Sequence, residues 1–319
     1  MSTIVKGVLM NNRPFKSSPK GNLMIIIATL IWGAGYVAQS SGMYHVDPLT
    51  FNAVRFAIGG TIALGPALFF IMRQRASSQT YGAAIGNAGA VNTPIGKHTV
   101  VAGIICGSVL CLAINLQQFG LLFTSVANAS FITALYVIMV PIASFIFFRK
   151  KAAGFVWVSV VVAMVGMYFI SLSGGFHINI GDILVFLCAI TFTAQILVIS
   201  HFSPRHNVLA LACVQFYVVS AISLSLALIF ETPSMTAILA AAPYVLYTGV
   251  LSSGVAYILQ MKAQKTTDAT VAAVLFSFEG VVAALVGLFV LNQLLTPRQM
   301  IGCALIFFAI LVAQIPSKK

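Results

Sequence analysis

Ten long apolar runs follow one another along this chain, and few folds can accommodate so many. A helix needs about 20 mostly apolar residues to cross the hydrocarbon core of a bilayer, whereas a soluble helix of that length carries a polar face. The breaks between the runs predict ten helices, over residues 23–41, 49–72, 100–119, 127–148, 155–172, 183–201, 208–230, 244–262, 268–291 and 297–315.

The composition supports a membrane environment. Of the 319 residues, 60% are hydrophobic and only 7% are charged, whereas a soluble domain carries roughly 25% charged residues. A surface facing water cannot be built from so few charges. The sequence therefore excludes a soluble enzyme, a disordered chain and, despite a net charge of +12, a nucleic-acid-binding protein. The predicted fold class is an all-α polytopic membrane protein.

The basic residues predict the orientation of the chain. Lys and Arg are enriched in the cytoplasmic loops of membrane proteins. If the N-terminus is cytoplasmic, 15 of the 17 basic residues fall in inner segments, the exceptions being Arg55 and Arg298. We therefore expect a multi-pass protein with both termini in the cytoplasm. The positive charge then faces anionic lipid headgroups of the bilayer.

Five spans on each side of Gly174–Gly175 indicate two halves. The expected organisation is a cytoplasmic N-terminal segment (1–21), a first five-helix unit (22–173, with a cytoplasmic linker at 74–99) and a second unit (176–316). An odd number of crossings per unit makes any duplication an inverted one. A shift of 140 residues, which places Tyr136 on Phe276, gives only weak sequence support. Gly103 and Gly107 form a GxxxG pattern typical of closely packed membrane helices.

Cysteine and histidine give no sign of a metal or redox site. All five cysteines lie within predicted spans, where we expect free thiols used for packing. The five histidines lie in loops or at span ends, on different segments. No spacing typical of metal ligands occurs, and we expect neither a metal nor a cofactor.

Two charges fall inside predicted spans, where charged side chains usually face a cavity or a partner. Asp47, Asp182 and Asp268 precede or begin helices and Glu231 lies in a loop, which leaves Glu279, about 16 Å into the ninth span. It is either a proton carrier or a permanently neutral acid that hydrogen-bonds a neighbouring helix.

Arg55 lies about 9 Å into the second span, by the same helical rise. Three interpretations are open for it. Its side chain can reach back to the headgroups, pair with Glu279, or bind a substrate carboxylate through two hydrogen bonds.

One face of the first span is polar and aromatic. Trp32, Tyr36 and Gln39 are spaced i, i+4 and i+7, which places them on one side of a helix. This face is either a cavity wall or a packed interface between helices.

Several stretches of the chain resemble one family. They are LIWGAGYVAQ, DPLTFNAVRFAIGG and FTSVANASFITALYVIMVPIAS in the first half, and LSSGVAYILQ, TVAAVLFSFEGVVAALVGL and LLTPRQMIGCALIFFAILVAQ in the second. In order and spacing they are similar to the EamA-like group of bacterial inner-membrane proteins in the drug/metabolite transporter superfamily. The chain departs from the family at Asn292–Gln293, where a Gly-Glu pair is common, and at Gly280, where proline is frequent.

The resemblance implies a ten-helix fold of two inverted five-helix repeats around a central cavity. It implies export of amino acids or related solutes, with proton coupling or by exchange. The spans that it places beside the cavity carry further candidate substrate-binding residues: Asn115, Gln118, Tyr136, Tyr257 and Gln260.

The predicted function is secondary active transport of a small metabolite by alternating access. The sequence has no GxxxxGK[ST] phosphate-binding motif. The alternative is a membrane-embedded enzyme or a lipid-handling protein without solute flux, which one carboxylate and one arginine support poorly. Many amides and few acids inside the spans favour a zwitterionic or neutral solute. We expect a monomer or a homodimer in the bacterial inner membrane, with a small-molecule solute as its ligand.

Overall fold

A computed structural model describes residues 18–81, 96–149, 154–171, 179–291 and 296–313, and within these ranges the chain is helical with no strand. The helices are α1 (Pro19–Gly42), α2 (Pro48–Tyr81), α3 (Lys97–Gly120), α4 (Val126–Thr133), α5 (Tyr136–Phe148), α6 (Gly154–Ser171), α7 (Ile180–Phe202), α8 (Val208–Phe230), α9 (Met235–Ala240), α10 (Ala242–Leu246), a π-helix π1 (Tyr247–Ala256), α11 (Tyr257–Ala263), α12 (Ala269–Phe276), α13 (Phe278–Leu291) and α14 (Pro297–Ala313).

The prediction of a helical membrane protein is confirmed. Within the described ranges, eight helical segments are long and apolar enough to cross a bilayer. Two shorter apolar helices, Gly154–Phe169 and Pro297–Ala313, correspond to the fifth and tenth predicted spans. Large apolar side chains such as Phe289 and Phe230 are more than 70% exposed on the outside of the bundle, as expected where lipid is the solvent.

Three of the predicted spans are interrupted in the middle. The fourth divides at Ala134–Leu135 into α4 and α5, and the ninth divides at Ser277 into α12 and α13. The eighth consists of α10, π1 and α11 in succession. Pro141, the proline of the fourth span, lies inside α5, six residues after this break. These interruptions place irregular backbone in the interior of the bundle, where protein rather than lipid surrounds it.

The second helix is longer than predicted. Helix α2 continues to Tyr81 and α3 begins at Lys97, so both helices extend into the segment 74–99, which the sequence predicts as a cytoplasmic linker. Residues 82–95 of that linker, residues 1–17 of the N-terminal segment, Gly174–Gly175 and Asn292–Gln293 lie outside the described residues.

Glycines bring helices close together, as the GxxxG pattern predicted. A Cβ atom on Gly107 would lie 2.7 Å from the Cβ of Val218 and 2.8 Å from the carbonyl oxygen of Gln215, both on α8. Gly166 of α6 has a similar contact, 2.8 Å, with the carbonyl oxygen of Gly302 on α14. The backbones of these helix pairs therefore touch directly.

The start of α2 is capped by a distant residue. Asp47 was expected to cap this helix, but Glu231 does so instead. The two Glu231 carboxylate oxygens accept hydrogen bonds from the backbone N–H groups of Leu49 and Thr50, each at 2.8 Å, and one accepts from the Thr50 hydroxyl at 2.7 Å. Asp47 is exposed. The loop after α8 is thereby fixed to the beginning of α2, and it positions Arg55 two turns further along.

Candidate functional site

A cavity lies at the centre of the bundle and is surrounded by both halves of the chain. The space between its walls, together with the open space at its mouth, is about 520 Å³. Its walls are formed by Trp32, Tyr36, Gln39, Arg55, Ile114, Gln117, Thr133, Tyr136, Phe192, Gln195, Ile196, Ser252, Tyr257, Gln260, Phe276 and Glu279. The lining combines aromatic rings, amides, one cation and one acid.

The structure brings eight of the ten sequence candidates to this cavity. They are Trp32, Tyr36 and Gln39 on α1, Arg55 on α2, Tyr136 on α5, Tyr257 and Gln260 on α11, and Glu279 on α13. The interpretation of the α1 face as a cavity wall agrees with this geometry.

Asn115 and Gln118 do not reach the cavity. On α3 the lining residues are Ile114 and Gln117, and a residue one position later is turned by about 100° around the helix. Asn115 instead packs between helices: it accepts a hydrogen bond from Asn52 (2.8 Å) and donates one to the Ser223 hydroxyl (3.1 Å). Gln118 is fully buried, and neither its Nε2 nor its Oε1 has a hydrogen-bond partner.

Further residues, not among the candidates predicted from the sequence, also line the cavity. Gln117 donates hydrogen bonds to the hydroxyls of Tyr36 (2.9 Å) and Thr133 (3.5 Å). Gln260 donates to Gln195 (3.1 Å), whose own Nε2 is buried without a partner. The sequence showed these amides but gave no signal that separates Gln117 from Gln118. Their faces are decided by how α3 rotates against its neighbours.

One wall of the cavity is aromatic. The ring of Trp32 lies 4.9 Å from that of Tyr257 and 5.6 Å from that of Phe276, centroid to centroid. Tyr136 contacts Phe276 edge to face at 6.4 Å. The Trp32 indole donates a hydrogen bond of 3.2 Å to the carbonyl oxygen of Ser252, which lies in π1. The indole and the π-helix are therefore held to each other, and the rings present an apolar surface to the cavity.

Glu279 lies at the broken part of the ninth span. It is in the first turn of α13, directly after the interruption at Ser277. The start of a helix carries partial positive charge and favours a nearby anion. The hydroxyl of Tyr136 donates a hydrogen bond of 3.0 Å to Glu279 Oε1. Glu279 is 6% exposed and lines the cavity, so both interpretations of its role, proton carrier or neutral structural acid, agree with its position.

Arg55 is buried in protein rather than extended to the headgroups, so the first interpretation of it was wrong. Only 1% of its surface is exposed. Its guanidinium carbon lies 5.0 Å from the centre of the Phe56 ring and 5.6 Å from that of Phe51. Arg55 and Glu279 form no ion pair with each other, because the hydrogen bond to Glu279 comes from Tyr136 and the Arg55 Nε and Nη2 atoms have no partner.

The described residues hold no group of three or more His, Cys, Asp and Glu side chains arranged to bind a metal ion. Of these four residue types, only Glu279 contributes to the cavity wall. The chemistry available at this site is therefore hydrogen bonding, charge pairing and contact with aromatic rings.

The fold and the site together define a multi-pass helical membrane protein with a central cavity lined by polar and aromatic side chains. The chain belongs to the EamA-like transporter family, whose sequence profile matches residues 19–172 and again residues 179–314. It is therefore a membrane transporter of the drug/metabolite type, as the resemblance implied.

Individual relatives agree with this assignment. An "Uncharacterized transporter" of Archaeoglobus fulgidus is 32% identical over 299 residues, which cover 92% of this chain and 85% of the relative. The "Uncharacterized transporter YoaV" of Bacillus subtilis is 24% identical over 292 residues, with 89% and 93% covered. A crystal structure of a protein with 19% identity superimposes with a TM-score of 0.72 over 94% of this chain and 99% of its own. At that identity it shows a shared fold.

Proposed function

We propose that this protein is a secondary active transporter that exports a small organic solute, such as an amino acid or a related metabolite, by alternating access. The observation that carries the proposal is the central cavity, because it is lined by both halves of the chain and combines polar and aromatic groups. A solute bound there contacts both halves at once, so movement of one half against the other changes the side from which the cavity is reached.

The proposed architecture is ten spans arranged as two inverted five-helix repeats. The family profile matches the chain twice, and the two matched segments contain similar interruptions. Helices α4 and α12 have 8 residues each, begin after the capping residues Ser125 and Asp268, and are each followed by a break. Tyr136 and Glu279, just beyond these breaks, are 143 residues apart. The starts of α4 and α12 have the same separation.

Contacts at one end of the bundle support alternating access. We use "Lys265 end" for the end that contains residues 18–22, 203–207 and 264–268. There Gln264 donates to the Ile196 carbonyl and the Ser200 hydroxyl, both at 3.1 Å, and Lys265 donates to the His206 carbonyl at 3.1 Å. These hydrogen bonds join the residues that follow α11 to α7 and to the loop before α8. For the solute to leave at the Lys265 end, the transporter must open there, and these hydrogen bonds must then break.

The proposed energy source is proton coupling through Glu279 or exchange of one solute for another. We place the protein in the plasma membrane of a prokaryotic cell, with the Lys265 end and both termini cytoplasmic, as a monomer or a homodimer. The distribution of basic residues supports this orientation.

Counterflow in liposomes tests the proposal. Purified protein is reconstituted in vesicles loaded with an unlabelled amino acid or organic acid, and uptake of the same labelled solute is followed. Ser252 is a small buried residue of the cavity wall, whereas Ser225 is exposed on the lipid side of α8. Because Ser252→Trp fills the cavity, we expect it to abolish counterflow, and Ser225→Trp should retain it.

Conversion of a lipid or peptide without any flux would instead identify a membrane-embedded enzyme. Equal flux in the two tryptophan variants would show that the solute does not pass through this cavity.

A further inference from the structure

Arg55 lines the cavity, and two of its guanidinium nitrogens have no hydrogen-bond partner. Its side chain is 1% exposed, yet Nε and Nη2 are both buried without a hydrogen-bond partner. In a planar guanidinium these two nitrogens share one edge, since Nη2 is on the side of the Nε–H bond. Their N–H groups point in nearly the same direction, which is the geometry that grips the two oxygens of one carboxylate.

The surroundings hold the guanidinium in place but do not neutralise it. Phe51 and Phe56 contact it through their rings, and such cation–π contacts attract a positive charge without cancelling it. Glu279, the one acid among the described lining residues, is hydrogen-bonded to Tyr136 instead. A buried charge without a partner is destabilising. The fold therefore maintains a cation at the cavity that the described residues leave unpaired.

We propose that Arg55 is the anion anchor of the cavity and that the solute is a monocarboxylate with an apolar part. The carboxylate accepts hydrogen bonds from Nε and Nη2 of Arg55. The apolar part lies against Trp32, Tyr257 and Phe276. This inference rests on the proposed function, because it names the class of solute that the transporter carries.

The charges of the lining favour a monoanion over a dianion. Arg55 is the one cation among the described residues of the wall. A phosphate or dicarboxylate carrying two charges would leave one uncompensated in a site of low polarity. It would also be repelled by Glu279 whenever that acid is ionised. An ammonium group on the solute, as in an amino acid, would be attracted to Glu279 instead.

Tryptophan fluorescence gives a direct binding test in the wild-type cavity. The chain has two tryptophans. Trp157 is 38% exposed on α6, so Trp157→Phe leaves Trp32 as a reporter within the cavity. Two matched pairs of probes are titrated: 3-phenylpropanoate against 3-phenylpropanamide, and phenylalanine against phenylalaninamide. Each pair keeps the ring and removes only the carboxylate charge.

We expect both acids to give a saturable change in fluorescence and each amide to bind at least tenfold more weakly. In the same background, Arg55→Gln removes the charge, and Arg55→Lys keeps it but loses the planar edge. Both should weaken binding of the acids by about 10- to 100-fold, as the loss of charged hydrogen bonds does. Arg298 provides a matched control because it also lies over two rings, those of Tyr168 and Phe169, but outside the cavity. Arg298→Gln should leave binding unchanged.

Equal binding of acid and amide, acid binding that both Arg55 variants retain, or no saturable binding of either acid up to 10 mM would overturn the proposal. If the Arg55 variants do not fold, the comparison of each acid with its amide tests the proposal by itself.

Tighter binding of phenylalanine than of 3-phenylpropanoate identifies amino acids as the source of the carboxylate, and the reverse order identifies simple organic acids. Counterflow of a solute without a carboxylate, unaffected by Arg55→Lys, would refute the anchor and leave transport standing. Carboxylate binding that depends on Arg55, without flux of any solute, would support the anchor and refute transport.

Discussion

The hydroxyl of Tyr136 donates a 3.0 Å hydrogen bond to the carboxyl group of Glu279, and this bond joins the two halves of the chain at the cavity. Tyr136 is the first residue of α5, after the break in the fourth span. Glu279 is the second residue of α13, after the break in the ninth span. Both residues are almost completely buried. A change at the Glu279 carboxyl group therefore acts directly on the opposite half through this hydrogen bond.

The first prediction concerns this pair. If Glu279 carries protons, Glu279→Gln should remove the pH dependence of transport while the protein remains folded. The reason is that an amide side chain does not gain or lose a proton at the pH values of the assay. Tyr136→Phe removes the donor and should reduce transport by about tenfold, the usual loss for a buried hydrogen bond to a charged group. Counterflow rates across a range of pH measure both effects.

Tyr217→Phe provides the control, since the Tyr217 hydroxyl lies at the exposed surface near Thr61. Its rate should match the wild type. The double variant should be no slower than Glu279→Gln, because the tyrosine acts through the acid. An unchanged pH profile in Glu279→Gln would exclude Glu279 from proton coupling and leave it a structural role.

The second prediction concerns the contact between α3 and α8. Gly107→Ala would place a Cβ atom 2.7 Å from Val218 Cβ and 2.8 Å from the Gln215 carbonyl oxygen, so the helices must separate. We expect a loss of about 1–3 kcal/mol, as for other overpacked sites. Gly154→Ala is the control, at the exposed start of α6, because nothing lies within 4 Å of its Cβ position. It should leave stability unchanged to within about 0.5 kcal/mol.

Thermal unfolding in detergent measures both glycine variants. Equal unfolding temperatures for the two would contradict the close packing of α3 against α8.

The third prediction concerns the cap that Glu231 supplies to α2. Glu231→Gln replaces one acceptor oxygen with an NH₂ group, which faces the N–H of Leu49 or Thr50 as a second donor. The loss of a cap costs about 1–2 kcal/mol. Asp47→Asn at the same helix start should change stability little, since Asp47 is exposed and does not provide the cap. If Asp47→Asn lowered the unfolding temperature more than Glu231→Gln does, Asp47 rather than Glu231 would be the capping residue.

The fourth prediction concerns pH at the Lys265 end. Partial burial, together with the charges of Arg205, His98 and Lys265, lowers the pKa of His206 from its usual 6.5. The folded protein then holds a proton on His206 less tightly than the unfolded chain does. His206 therefore does not penalise folding above about pH 6.5, and stability is lost as the pH falls through the lowered value.

Unfolding temperatures between about pH 7.5 and 5.5 test this. The decline on acidification should be smaller in His206→Gln than in the wild type. His45→Gln, at the opposite end of the bundle beside Tyr244, should leave the decline unchanged. A parallel decline in His206→Gln would contradict the prediction.

The membrane architecture could be predicted from the sequence because hydropathy acts locally. A run of about 20 apolar residues requires a helix in lipid wherever it stands in the chain. The same local reasoning identified Trp32, Tyr36 and Gln39 as one face, since three residues on one helix share a side through their spacing alone. It also identified Glu279 and Arg55 as unusual, because charge inside an apolar run is visible without any structure.

The choice of lining residues, the cap of α2 and the position of the break in the fourth span depend on how the helices are oriented and packed against one another. Gln117 and Gln118 are adjacent amides in the sequence, yet one lines the cavity and the other is buried outside it. Asp47 precedes α2, yet the residue that caps the helix is Glu231, more than 180 positions away. The fourth span is broken at Ala134–Leu135, although the proline of this span, Pro141, lies further along inside α5. The length of the apolar runs is enough to predict a bundle of membrane helices. Which polar groups meet at its centre could be seen only in the packed structure, because side-chain partners are set by contacts between segments far apart in the chain.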